Sequence, residues 1–94
     1  MINSHYGKTE QQTISEVIES WRLWLVINRD YEFSTADNYA NVISKIAADC
    51  DVSLFTATTL DLREVLCRYY EEISPSTCNM YRSILVMFYN YLRY

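Results

Sequence analysis

Short polar side chains on two segments carry the chemistry most readily available to this 94-residue chain. A helix turns about 100° per residue. With Tyr39 and Tyr81 turned toward a core, Ser34, Asn38, Asn41 and Lys45 fall on one outward stripe, and Ser76, Asn79, Arg82, Ser83 and Val86 fall on another. Ser, Thr and Asn, together with free N–H groups at a helix start, contact phosphate and sugar, and Asn also reads adenine in the major groove. Taken alone, the same stripe is what any solvated helix face looks like. Other chemistry finds no comparable set. Cys50, Cys67 and Cys78 are irregularly spaced without a Cys-x-x-Cys, and His5 is the only histidine. That excludes a zinc site and a disulfide framework, and it fits reduced thiols in a cytoplasm. No paired carboxylates, Gly-rich phosphate loop or nucleophile–base pair occurs. No catalytic residue, metal, cofactor or small-molecule ligand is therefore expected.

The composition says what must position those stripes. Half of the residues are hydrophobic and 15% are aromatic, including nine tyrosines, which is too apolar for disorder. Gly7 and Pro75 are the only residues of their kinds. A β-rich chain would need more of both for its turns, so the expected fold is all-α, a compact four-helix bundle. No signal peptide or membrane-length apolar run is visible, and a cytoplasmic domain that does not meet a membrane is expected. The formal net charge is −4, but all twelve acids lie between Glu10 and Glu72. From Ser74 onward the only charged side chains are Arg82 and Arg93, so the last element is locally cationic.

Residues 1–12 read as a polar tail, with residues 13–94 as the domain. The first helix is expected over about 13–29, opened by a capping box of Thr13 and Glu16, with Ile14, Val17, Trp21, Trp24, Leu25 and Asn28 on its apolar face. The second is expected over 34–49, capped by Ser34 or Thr35 with Asp37 in its first turn, and with Thr35, Tyr39, Ile43 and Ile46 facing inward beside Ala36 and Val42. Leu54 should tuck under the next loop. The third is expected over 59–73, capped by Thr58 or Thr59 with Asp61 early, and buried through Leu62, Val65, Leu66, Tyr69 and Ile73. Ser74-Pro75 opens the fourth, over 75–93, which turns Cys78, Tyr81, Leu85, Phe88 and Leu92 inward. Tyr39, Tyr81, Phe88, Trp21 and Trp24 are expected in the core rather than as base-stacking platforms. Leu23, Ile27, Val86, Met87 and Tyr91 are harder to bury, and some of them should face another domain or protomer.

Residues Arg29 to Tyr39 resemble R-G-L-S-x-x-T-x-x-x-Y without a gap, with Thr35 and Tyr39 in place and Asp30, Tyr31 and Glu32 at the Gly, Leu and Ser positions. Leu54 to Asp61 follows L-x-x-x-T-x-x-D, with Thr58 and Asp61 in place. Ile73 to Tyr81 follows L-S-x-x-T-x-N-R-x, and Phe88 to Leu92 follows F-x-x-Y-L. In this order and spacing, over about residues 13–93, the segments resemble the N-terminal SAM-like core-binding domain of phage integrases, the tyrosine recombinases. The sequence departs from the pattern at Glu32 (often Ser), at Asp37 (often Arg), at Ala40-Asn41 (often basic) and at Met80 (often basic).

The resemblance implies an accessory domain that grips double-stranded DNA opposite a C-terminal catalytic domain during DNA integration or another site-specific recombination. Its partners would be the duplex, that catalytic domain and neighbouring protomers. The family's catalytic Arg, His-x-x-Arg and nucleophilic Tyr have no counterparts here, and Tyr94 has no group beside it to stabilise a transferring phosphoryl. The end of the chain falls where the interdomain linker would begin, as expected of an excised piece. The DNA-binding set implied is Ser34, Thr35, Asn38, Asn41, Lys45, Ser76, Thr77, Asn79, Arg82 and Ser83. Thr35 and Thr77 also fit structural roles, as caps or core hydroxyls. With few cations and several departures, affinity alone is expected to be roughly 10⁻⁴ M or poorer. The alternative is a helical protein–protein interaction module with little DNA affinity, supported by the acidic balance and the surplus apolar residues.

Overall fold

The computed structural model describes residues 13–93, so the expected tail at 1–12 and Tyr94 lie outside the described residues. Four helices follow in order: α1 (Ile14–Arg29), α2 (Phe33–Asp49), α3 (Thr59–Tyr69) and α4 (Pro75–Leu92). No strand occurs among the described residues. The described residues form an all-α four-helix bundle, in keeping with the composition.

Local capping explains three of the four helix starts. Thr13 Oγ1 accepts the Glu16 N–H at 3.2 Å, and the Glu16 carboxylate accepts the Thr13 N–H at 2.8 Å. Thr58 and Asp61 repeat this box at α3, at 3.2 and 2.9 Å. Ser74 Oγ accepts the Thr77 N–H at 3.3 Å ahead of Pro75. Each such cap contributes about 1 kcal/mol.

The start of α2 differs from expectation. Its N-cap is Glu32, not Ser34 or Thr35, and Glu32 makes no side-chain cap bond. Ser34 and Thr35 already lie inside the helix, and Asp37 lies beyond its first turn. The reason lies upstream. Asp30 ends α1 in the left-handed region (φ 59°, ψ 29°), and the N–H groups of Asp30 and Tyr31 both donate to the Leu25 carbonyl. This stop sends the chain into α2 two residues earlier than the polar residues suggest. Asp tolerates that conformation better than most side chains do.

The third helix is shorter than expected, ending at Tyr69 rather than at 73. Tyr70 N–H is shared between the Leu66 and Cys67 carbonyls, and those of Glu72 and Ile73 both close on Tyr69. Two consecutive acids, Glu71 and Glu72, oppose the negative end of the helix dipole. Ser74 must also be extended to cap α4. Ile73 keeps its apolar periodicity but spends it half-buried in the turn.

The core is centred on Trp21, Leu25, Ile43, Ile46 and Phe88, all fully buried. The Trp21 ring meets Phe88 edge-on with centroids 5.2 Å apart. Each such aliphatic or aromatic side chain contributes about 2 kcal/mol through burial. That outweighs the unpaired Trp21 indole N–H in the core, whose cost is of order 1–3 kcal/mol. Ala36 and Ala40 are the buried small residues of α2, and Ala40 borders the α1 residues Ile18 and Arg22. Ala40 is thus a core residue rather than a surface position. Asn28, expected on the apolar face of α1, is exposed, whereas Ile18 and Ile84 are buried. Thr35, Tyr39, Leu62, Leu66, Tyr81 and Leu92 are only half-buried. Leu54 is buried under its loop, and the Tyr89 hydroxyl holds it there by donating to its carbonyl at 2.7 Å.

Candidate nucleic-acid interface

The α2 stripe forms as its periodicity requires. Ser34, Asn38, Asn41 and Lys45 are all exposed, with Thr35 half-buried at the edge. On α4, Ser76, Asn79, Arg82 and Ser83 are exposed and Thr77 is half-buried. The first turn of α4 gathers three hydroxyls, with Ser74 Oγ 2.9 Å from Thr77 Oγ1 and 3.3 Å from Ser76 Oγ. Thr77 therefore serves the cap, with its hydroxyl engaged by Ser74 Oγ.

The two stripes border different furrows. Asn41 lines one between α1 and α2, beside Glu19, Arg22 and Asp37. Arg22 donates there to Glu19 and, at 3.0 Å, to Asp37. These bonds hold the Glu19 carboxyl below its ordinary range and the guanidinium above its own. Two carboxylates against one guanidinium leave this side of α2 a poor seat for phosphate. Arg82 instead lines a groove between α3 and α4, with Arg63 and Arg93.

The two expected cations also differ. Lys45 Nζ lies 3.5 Å from Asp49 Oδ2 and 5.0 Å above the centre of the Tyr69 ring. Asp49 is the hub of this cluster. It accepts the Tyr69 hydroxyl, and its own backbone carbonyl accepts Arg68 Nη2 at 3.0 Å. The Tyr69 hydroxyl, helped by Lys45 and Arg68, holds the Asp49 carboxyl below its ordinary value. Burial, then the adjacent carboxylate, raises the Tyr69 phenol well above its own. The Tyr69 ring in turn meets Tyr81 edge-on, 5.7 Å between centroids, so the cluster ties α2 and α3 to α4. The Lys45 charge is thus partly compensated by Asp49. Arg82 makes no ion pair among the described residues, and neither do Arg63 and Arg93.

Sequence periodicity did not point to Arg63, whose place in the same groove as Arg82 depends on how α3 packs against α4. Arg93 was visible as one of the two cations in the acid-free segment, and its spacing of eleven residues from Arg82 sets both on one helix face. Among the described residues no cluster of His, Cys, Asp and Glu is arranged to hold a metal ion, and no helix is long and apolar enough to cross a membrane. Compared with protein-family models, with curated proteins and with solved structures, the chain matches none, so what it does must be argued from its own residues.

Proposed function

We propose that the chain is the N-terminal core-binding, SAM-like domain of a phage-integrase-type tyrosine recombinase. In this role it is a cytoplasmic accessory module that grips duplex DNA opposite a catalytic domain and has no catalytic site of its own. The observation that carries the proposal is the fit between the pattern and the backbone at the end of α1 and at the starts of α2, α3 and α4. Where the pattern has Gly, Asp30 takes a positive φ of 59°, the conformation glycine adopts most readily. Where it has Ser two residues later, Glu32 is the N-cap of α2. Its T-x-x-D is the Thr58–Asp61 capping box, and its second Ser is the cap at Ser74. The closing F-x-x-Y-L puts Phe88 in the core and Tyr91 against Trp24 at 5.2 Å. Residues spaced for these backbone reasons leave the exposed starts of α2 and α4 free to meet phosphates through hydroxyls, amides and Arg82.

The test is an NMR titration of the labelled chain with a generic duplex at low salt. Shifts at residues 34–45 and 76–83 that fade as salt rises are the expected result. Arg82→Glu should abolish most of them, and Lys45→Glu should have a smaller effect because Asp49 already compensates that charge. No shift on either helix start would refute the DNA role.

A second reading, a protein–protein module, rests on the exposed apolar side chains Leu23, Ile27 and Val86, which are 40%, 73% and 55% accessible. Met87 and Tyr91, expected with them on that surface, are instead half-buried against the core.

A further inference from the structure

The groove between α3 and α4, about 670 Å³ in volume, is chemically unlike the rest of the chain. The protein carries a net charge of −4. Yet Arg63, Arg82 and Arg93 line this groove with no carboxylate among its residues. Leu66, Tyr70 and Val86 line the same groove, and Tyr70 and Val86 are more than half exposed. Three uncompensated cations around an apolar floor do not match what a phosphate backbone presents, because sugar and phosphate gain little from leucine and valine.

We infer that this groove is a docking site for an acidic amphipathic helix of a partner protein. Charge complementarity selects its sign. The apolar floor selects a ligand with a hydrophobic stripe, the mode by which a helix lies in a groove. Spacing selects its secondary structure. Arg82 and Arg93 are eleven residues apart, which on α4 is three turns, or about 16 Å. A partner helix has the same rise, so carboxylates eleven positions apart on it fall opposite the two guanidinium groups. Its Leu or Phe side chains at intervening three- and four-residue steps then cover Leu66, Tyr70 and Val86. Arg63, on the α3 wall, takes a third carboxylate from the other side. Arginine suits this work because its planar fork pairs bidentately with carboxylates and is weakly hydrated. The site shares Arg82 and Val86 with the α4 stripe, whereas Arg63 and Arg93 lie outside both stripes, so the R63E/R93E variant separates the groove from the DNA role.

The test uses the whole chain and a labelled, roughly 15-residue helical peptide with leucines at i, i+4 and i+7 flanked by glutamates. Binding is read by fluorescence anisotropy and mapped by amide shifts. The expected result is shifts at Arg63, Leu66, Tyr70, Val86 and Arg93. The R63E/R93E double variant, its fold checked by circular dichroism, should bind at least about tenfold more weakly. A peptide with every Glu changed to Gln should also lose most of its affinity. Equal binding of the two peptides, or no effect of the double variant, would overturn the inference. Concentration-dependent dimers that R63E/R93E dissolves would overturn it in favour of a second copy of this chain. Displacement of the peptide by a duplex that shifts the same groove residues would overturn it in favour of nucleic acid.

Discussion

The uncapped start of α2 gives a stability prediction that can be worked from the structure. Glu32 has the backbone of an N-cap, φ −69° and ψ 151°, and its carbonyl accepts the Ala36 N–H at 3.0 Å. Its side chain makes no cap bond, because glutamate is one methylene too long for the geometry that Ser, Thr and Asp adopt. It does place a negative charge near the helix N-terminus, worth about 0.3–1 kcal/mol. Glu32→Asp keeps that charge and adds the missing hydrogen bond, so it should stabilise the fold by about 1 kcal/mol. Glu32→Ser adds the bond but forfeits the charge and should gain less, about 0.5 kcal/mol. Glu32→Ala has neither and should be the least stable of the four. In a domain of this size 1 kcal/mol moves the melting temperature by roughly 4–8 °C. Urea unfolding followed by far-ultraviolet circular dichroism resolves this order, provided the slope with denaturant is constant across the set. If Asp at 32 is no more stable than Ala, α2 does not begin where the structure puts it.

Other substitutions test placement and pairing. Ala40→Lys puts a long cation where the resembling family is often basic but where this chain is packed against α1. It should destabilise by about 1–3 kcal/mol in the same urea assay, whereas Asn41→Lys, one residue along on the surface, should change stability little. Acid sensitivity should follow Asp49, whose carboxyl is held below its ordinary 3.8, chiefly by the Tyr69 hydroxyl. A lowered carboxyl contributes stability above its unfolded value, and that contribution disappears as pH falls through the folded one. Tyr69→Phe should therefore flatten the acid limb of stability below about pH 4. Tyr69 and Tyr89 are both raised, foremost by burial. A raised phenol contributes below its ordinary value of 10.0, and that contribution is lost as pH rises through the folded value. Titration of phenolate absorbance should show two phenols that ionise above the ordinary value, one lost in Tyr69→Phe and the other in Tyr89→Phe.

Much of the fold can be read from residues that act locally. Thr13, Thr58 and Ser74 announce their helices because a cap is a bond between neighbours in sequence, and all three form. The start of α2 escaped that logic because its cap, Glu32, is not a capping type, while Ser34 and Thr35 nearby are. The real determinant was the left-handed turn at Asp30. The end of α3 was overrun because Ile73 continues the apolar period although the backbone has already tightened at Tyr70. The stripes themselves were predictable, since exposure follows helix phase. What surrounds each cation was not. The i, i+4 pairing of Lys45 with Asp49 was available in the sequence, but its value depends on Tyr69 arriving from α3 to hold the carboxylate and offer its ring. Arg63 shares a groove with Arg82 only because α3 packs beside α4, a tertiary fact with no local signature.

That tertiary fact yields a quantitative way to separate phosphate gripping from peptide docking. Each phosphate neutralised by a Lys or Arg steepens the dependence of log affinity on log salt by about 0.9 for B-form DNA. If duplex binding uses the polar stripes, Arg82 is the one cation engaged at full strength and Lys45 adds a fraction, because Asp49 holds it at 3.5 Å. The slope should then lie near about −1. If the duplex instead lay in the α3–α4 groove, Arg63, Arg82 and Arg93 would all contribute, and the slope should approach about −3. Measuring duplex affinity between low and moderate salt therefore identifies the surface used without any structure of the complex. A slope near −1 that R63E/R93E leaves unchanged would keep the groove for a protein partner and the helix starts for DNA. A slope near −3 that this variant reduces to −1 would unite them into one nucleic-acid surface and remove the case for an acidic helix.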